Sequence, residues 1–167
     1  ANDTNMISCR LCPAGQVGLS GGARTLLSNG CEVCGEGKFS PRPGRTSSDK
    51  CIDCPTGYYR GSNDTPTTEC QVCLAGKFED QEGETTDCKS CPDGFYANDT
   101  NMISCRLCPA GQVGLPSGDR TSLSNGCKVC GEGKFSWELG RTSSDGCIDC
   151  PAGYYRNSTD TPTTECQ

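Results

Sequence analysis

With 17 cysteines, 22 glycines and 10 prolines in 167 residues, and only 32% hydrophobic residues, this chain cannot build an ordinary apolar core. Ordering a chain costs roughly 1–2 kcal/mol per residue, which so little burial does not offset. The net charge of −6 is spread without an acidic or basic block, which leaves a solvated surface and no basic stripe for nucleic acid. There is no histidine, the usual general base, and no apolar run nears the about 20 residues of a membrane span.

The chain opens on ANDTNMISCRLCPAGQVGL, and the same run returns at Ala97; residues 1–71 reappear as 97–167 with 12 differences. Inside that period lie eight CxxC pairs, starting at Cys9, Cys31, Cys51, Cys70, Cys88, Cys105, Cys127 and Cys147. The steps between them shorten from 22 to 17 and then restart at 22, so five modules make one 96-residue unit. We expect a first superrepeat over 1–96 and a truncated second over 97–167. The chain starts inside a unit and stops one residue past Cys166, and it carries no signal peptide, as expected of a segment of a longer secreted protein. Repetition at a fixed period is the mark of an array in which each module contacts mainly its neighbours.

Every module follows one local code. A glycine stands three residues after the second cysteine (Gly15, Gly37, Gly57, Gly76, Gly94, Gly111, Gly133, Gly153), and two residues later comes a bulky apolar side chain. That side chain is Val17, Phe39, Tyr59, Phe78, Tyr96, Val113, Phe135 or Tyr155. Where proline follows the cysteine, Pro-x-Gly predicts a tight turn, with the glycine at positive φ. A short extended run and a polar return such as GRTSSDKC or DTPTTEC complete the module. Short irregular β-ribbons with almost no helix are the expectation, in an elongated rod with no central hydrophobic core.

Repeated CxxC spaced like this also suggests zinc ribbons, and CEVCGEG loosely resembles a CxxCxGxG zinc motif, though its glycines are out of register. Parity argues against zinc. Ribbons consume CxxC units in twos, whereas the 96-residue unit contains five. The same count removes disulfides that interlock two adjacent pairs. Two schemes remain: closure within each CxxC, or closure from the second cysteine of one pair to the first of the next. Closure within CxxC is typical of redox sites rather than passive scaffolds, so the sequential scheme is preferred. It gives Cys12–Cys31, Cys34–Cys51, Cys54–Cys70, Cys73–Cys88, Cys91–Cys105, Cys108–Cys127, Cys130–Cys147 and Cys150–Cys166, and leaves Cys9 unpaired in this segment. No metal set or cofactor is expected.

The pattern Cys-Pro-x-Gly-x-Tyr/Phe, a Ser/Thr-rich stretch, then Cys-x-x-Cys resembles the ephrin-receptor-like cysteine-rich repeat. It is also similar to the simplest submodule of tumour-necrosis-factor-receptor repeats. The resemblance covers essentially the whole chain and implies the sequential bridging above, in an elongated extracellular rod. It carries over no ligand site. The chain departs from it in its regular 96-residue superrepeat and in lacking modules with two interlocked disulfides.

Four sequons, at Asn2, Asn63, Asn98 and Asn157, point to N-glycans on a secreted chain. Asn63 becomes Thr159 in the second copy, yet Gly61 becomes Asn157 two residues earlier; one acceptor is lost and another gained on the same module. Thr65-Pro66-Thr67-Thr68 and Thr161-Pro162-Thr163-Thr164 are O-glycan candidates on composition alone. Trp137 replaces Pro41; it would either cover a disulfide of its own module or anchor a lateral contact. The acidic run Glu79–Glu84 lacks the ligand spacing of a calcium loop and reads as a solvated turn.

No catalytic constellation is present, and an enzyme is not expected. Near-perfect repetition favours a structural component of an extracellular filament, sheath or cell-surface appendage, self-associating or bound to other filament proteins. The alternatives are the ectodomain or stalk of a cell-surface receptor or adhesin binding a protein ligand, and a variable surface coat antigen of a unicellular organism.

Overall fold

The structure, a computed structural model, describes residues 9–22, 24–64, 67–160 and 163–167. Eight disulfides close it, each from the second cysteine of one CxxC to the first of the next, from Cys12–Cys31 through Cys150–Cys166. Of the two schemes that parity left open, closure within CxxC is excluded. Cys9 is free and exposed.

Between bridges, the chain forms two-stranded antiparallel ribbons, seven among the described residues. They pair β1 (Gln16–Gly18) with β2 (Cys31–Val33), β3 (Lys38–Phe39) with β4 (Ile52–Asp53), and β5 (Tyr58–Tyr59) with β6 (Gln71–Val72). Next come β7 (Lys77–Phe78) with β8 (Lys89–Ser90), and β9 (Phe95–Tyr96) with β10 (Arg106–Leu107). Last are β11 (Gln112–Gly114) with β12 (Cys127–Val129), and β13 (Lys134–Phe135) with β14 (Ile148–Asp149). One strand of each ribbon follows the glycine turn and the other enters the next CxxC. Register brings Lys38 opposite Asp53 and Lys134 opposite Asp149, and both pairs form cross-strand ion pairs.

Two single-turn helices, α1 (Leu27–Gly30) and α2 (Leu123–Gly126), agree with the expectation of almost no helix. The cause is local. Asn29 Oδ1 accepts the Leu26 N–H and Asn125 Oδ1 the Ser122 N–H, both at 2.8 Å, so LSNG winds one turn against its own flank. A single turn carries no periodicity to read.

Contacts group the chain into two compact units. One comprises Ala1–Pro55, Tyr59–Gln71 and Glu82–Thr86; the other comprises Thr56–Tyr58, Val72–Gln81 and Asp87–Gln167. Within each, one joint recurs from module to module. The turn glycine has positive φ in all eight modules. In six of them its N–H donates to the carbonyl of the sixth residue after the next module's second cysteine, and in seven, Gly94 included, its carbonyl accepts that cysteine's N–H. In the first unit, Gly15 N donates to Ser40 O at 2.7 Å and Cys34 N to Gly15 O at 2.9 Å. In the second, Gly111 N donates to Ser136 O at 2.6 Å and Cys130 N to Gly111 O at 2.9 Å. A third bond runs from the N–H of that sixth residue to a carbonyl in the following return loop, as from Gly18 to Arg45 at 2.8 Å or from Ala97 to Arg120 at 2.9 Å. The modules therefore meet backbone to backbone. This is how short strands satisfy groups that a lone ribbon leaves open.

The interior agrees with that economy. Among the described residues, the buried hydrophobic positions are nine half-cystines together with Val17, Ala97 and Val113. Ser40, Arg60, Glu79, Ser136 and Arg156 are the buried polar ones, and all five, like Ala97, occupy the sixth position after a second cysteine. The sequence reading missed this position. Its signal is a small or hydrogen-bonding residue directly after the bulky apolar one.

Candidate functional site

The sixth-position arginines link the joint to the outer surface. Arg60 Nη1 donates to the carbonyls of Cys34 at 3.2 Å and Lys38 at 2.9 Å, and Arg156 Nη1 repeats this on Cys130 at 3.0 Å and Lys134 at 2.9 Å. The other arm of each fork reaches a turn four residues on. Arg60 Nη2 donates to Asp64 O at 3.3 Å and Arg156 Nη2 to Asp160 O at 3.4 Å. An aspartate closes that turn in both copies, Asp64 Oδ2 accepting the Gly61 N–H at 2.7 Å and Asp160 Oδ2 the Asn157 N–H at 2.6 Å.

Asn63 and Asn157 are the third and first residues of this same aspartate-closed turn, and both are exposed. The exchange of one acceptor for the other thus stays on one rigidly held loop. Asn98 is exposed directly after the buried Ala97. Asn2 lies outside the described residues, as do Thr65, Pro66, Thr161 and Pro162 of the two Thr-Pro stretches. Their remaining threonines are half-buried, and a Cβ on Gly15 or Gly111 would lie within 2.0 Å or 1.8 Å of the Thr67 or Thr163 hydroxyl oxygen.

Trp137 leaves 58% of its surface exposed and rests on Phe135 of its own module, ring centroids 5.2 Å apart and tilted by 43°. Leu139, which stands where the first copy has Pro43, is 61% exposed beside it. Between them Glu138, in place of Arg42, pairs with Arg141 at 2.7 Å.

The acidic run is not wholly a solvated turn. Glu79 is fully buried; its Oε1 accepts the Gln81 N–H at 3.0 Å and faces Lys89 Nζ at 3.1 Å. Lys89 also bonds Asp80 at 2.5 Å and lies 5.8 Å from the Phe78 ring centroid. These charges hold each other. The Lys89 ammonium keeps the Asp80 carboxyl below the usual carboxylate range, and Asp80, then Glu79, raise Lys89 above its ordinary value. A lowered carboxyl contributes stability that is present above its unfolded value of about 3.9 and lost as pH falls through the folded one. A raised ammonium contributes below about 10.4 and loses it as pH rises through its folded value. The β7–β8 ribbon should therefore be tightest between these limits and loosen in acid. Amide protection at Phe78 and Lys89, corrected for intrinsic exchange, checks this; Asp80→Asn should flatten the acid limb. An unchanged acid limb would assign it to other carboxylates.

No group of three or more metal-ligating side chains occurs among the described residues, and no helix there is long and apolar enough to cross a membrane. Residues 82–120 match the family model described as tyrosine-protein kinase ephrin type A/B receptor-like. The matched stretch takes in the whole Cys91–Cys105 bridge with its Pro92-Asp93-Gly94 turn, the β9–β10 ribbon and the next CxxC. No curated protein matches the chain. The match and the run of sequential bridges support tandem cysteine-rich repeats similar to those of ephrin-type receptors, a kind of module that belongs to extracellular or cell-surface proteins.

Proposed function

We propose that the chain is part of a structural glycoprotein of an extracellular filament, sheath or cell-surface appendage, without catalytic activity. One observation carries the reading: the same three-bond joint and the same bridge recur from module to module, on two superrepeats that differ at 12 of 71 positions. Uniform joints give uniform mechanical steps, and a repeated surface offers the same contact at a regular spacing. A contact that repeats without closing builds fibres rather than rings. Imaging of the native material tests it: filaments with a repeat set by the 96-residue unit are expected. Isolated molecules on a membrane that each engage a soluble protein ligand at one module would replace it with the receptor or adhesin reading, which the match over residues 82–120 favours.

N-glycans at Asn2, Asn63, Asn98 and Asn157 are part of this proposal. The exposed turn that presents Asn63 in one copy and Asn157 in the other supports it, since the transferase needs an accessible loop. Peptide mapping after enzymatic deglycosylation in heavy-oxygen water should convert all four to labelled aspartate. Unlabelled asparagine at most of them would remove the glycan coat from the proposal.

A further inference from the structure

The two superrepeats differ most along one exposed loop. The longest run of differences between them is Pro41-Arg42-Pro43 against Trp137-Glu138-Leu139. Both runs sit on the same scaffold. The hydroxyl of the buried Ser40 donates to Arg42 O at 3.2 Å, and that of the buried Ser136 to Glu138 O at 3.3 Å. Behind them Arg45 Nε donates to Lys50 O at 3.0 Å and Arg141 Nε to Gly146 O at 2.9 Å. Backbone held alike thus presents unlike side chains. All six are exposed. The Cys54–Cys70 module follows the first loop, the Cys91–Cys105 and Cys108–Cys127 modules precede the second, and none of them covers it.

What the two loops present is complementary. Trp137, resting on Phe135, and Leu139 make an apolar surface, which Leu107 extends from its place against Gly140. The first loop offers two prolines instead, flat apolar rings on a backbone whose φ they already fix, so little entropy is lost when an aromatic stacks on them. Charge is complementary too. Arg42, Arg45 and Lys50 against Asp49 leave the first loop at +2, whereas Arg141 against Glu138 and Asp145 leaves the second at −1. The one other charge reversal between the copies, Glu32 to Lys128, runs in the opposite sense, and both of these residues are exposed. Equivalent positions of two like copies brought face to face would repel at each reversal. Those of unlike copies attract at each.

We propose that this loop is a docking site for a second copy of the chain. Residues 137–139 of one molecule seat on residues 41–43 of another, Trp137 stacking on Pro41 and Pro43 while Glu138 faces Arg42. The inference rests on the filament reading, in which chains self-associate, and names the surfaces that meet and their pairing. Homologous loops on one scaffold can meet about a local two-fold, which sets equivalent residues opposite one another near its axis. Glu138 is already held by Arg141 at 2.7 Å, so its carboxylate is placed before the partner arrives. An indole and a guanidinium at the centre are the groups that carry most of the affinity in contacts of this kind. The charges then decide which loops pair: the first superrepeat of one chain with the second of its neighbour, and not like with like.

The test uses the full chain with its eight bridges intact and Cys9→Ser, which prevents an intermolecular disulfide. Sedimentation velocity reads self-association, and the emission of Trp137, the one tryptophan of the chain, reports on the site itself. Association should shift that emission to the blue as the indole is covered. Arg42→Glu alone and Glu138→Arg alone should each weaken association about tenfold, because like charges then face each other. An equimolar mixture of these two variants should recover it, since each supplies the charge that the other's loop requires; two misfolded variants would not rescue one another. Trp137→Ala should weaken association about thirtyfold. Association that neither charge variant weakens, or that leaves the Trp137 emission unchanged, would overturn the loop contact and leave the filament reading to be decided by imaging. A chain without these changes that stays monomeric at about 1 mM would also overturn the contact.

Discussion

Replacing Gly37 by alanine should destabilise its module by about 3 kcal/mol or more, while the same replacement at Gly146 should cost only about 1–2 kcal/mol. The two glycines have φ of 66° and 61°. The conformational penalty is therefore common to both. What differs is the room. A Cβ on Gly37 would lie 2.1 Å from the Gly83 carbonyl oxygen and 2.7 Å from its carbon, whereas one on Gly146 meets nothing within 4 Å, and Lys50, its counterpart in the first copy, carries a side chain at a φ of 54°. To admit the Gly37 substituent, the Gly83 loop must withdraw and strain the bonds from Gly37 N to Arg60 O, Cys54 N to Gly37 O and Gly83 N to Cys54 O, each 2.8 Å. Each is worth about 1 kcal/mol. Because such an array need not unfold in one step, residue-resolved hydrogen exchange is the measurement, at the Arg60 and Cys54 amides for the first and, for the second, at the Gly114 amide, which donates to Arg141 O in the loop of Gly146. Equal losses at the two sites would show that glycine is required at position 37 for its dihedral alone.

That contrast marks how far the sequence could be read. The turn glycine, the bulky residue two places on and the order of the bridges were legible because each is a side-chain identity at a fixed offset from a cysteine. The joint was not. Its acceptors, such as Arg45 O, Thr67 O, Glu84 O, Met102 O and Arg120 O, are backbone carbonyls of return loops that differ in length and sequence. A carbonyl leaves no residue type to recognise. For the same reason Glu79 passed for one acid in a solvated run, although its place directly after Phe78 assigns it to the buried sixth position that Arg60 and Arg156 also hold. The sequons were visible one by one, but not that Asn63 and Asn157 share one aspartate-closed turn tied down by a buried guanidinium. That relation needs the fork of an arginine whose partners lie both four residues ahead and about two dozen behind.

Removing one bridge should open one module and leave those on either side closed. The double variant Cys130→Ala, Cys147→Ala is expected to lose about 3–5 kcal/mol locally. Releasing a loop whose ends are 17 residues apart accounts for about 3 kcal/mol of this, and the remainder is packing lost around Cys130, which is 3% exposed. The affected amides are fixed by the joints this module makes. Protection should fall at Gly111 and Cys130, whose bonds tie it to the module before, and at Gly133 and Cys150, which tie it to the module after. Arg156 should lose its hold on the Cys130 and Lys134 carbonyls, and the Asn157–Asp160 turn should become exchange-labile with it. The amides of Cys108, Leu115 and Gly126 bond instead to Gly94, Gly126 and Ser122, inside or behind the adjoining bridged loop, and should keep their protection. Stability that adds by module and nearest-neighbour joint predicts this confinement. If protection were lost throughout Val72–Gln167, the modules would share one cooperative core, and damage at a single bridge would propagate instead of being contained between two intact staples.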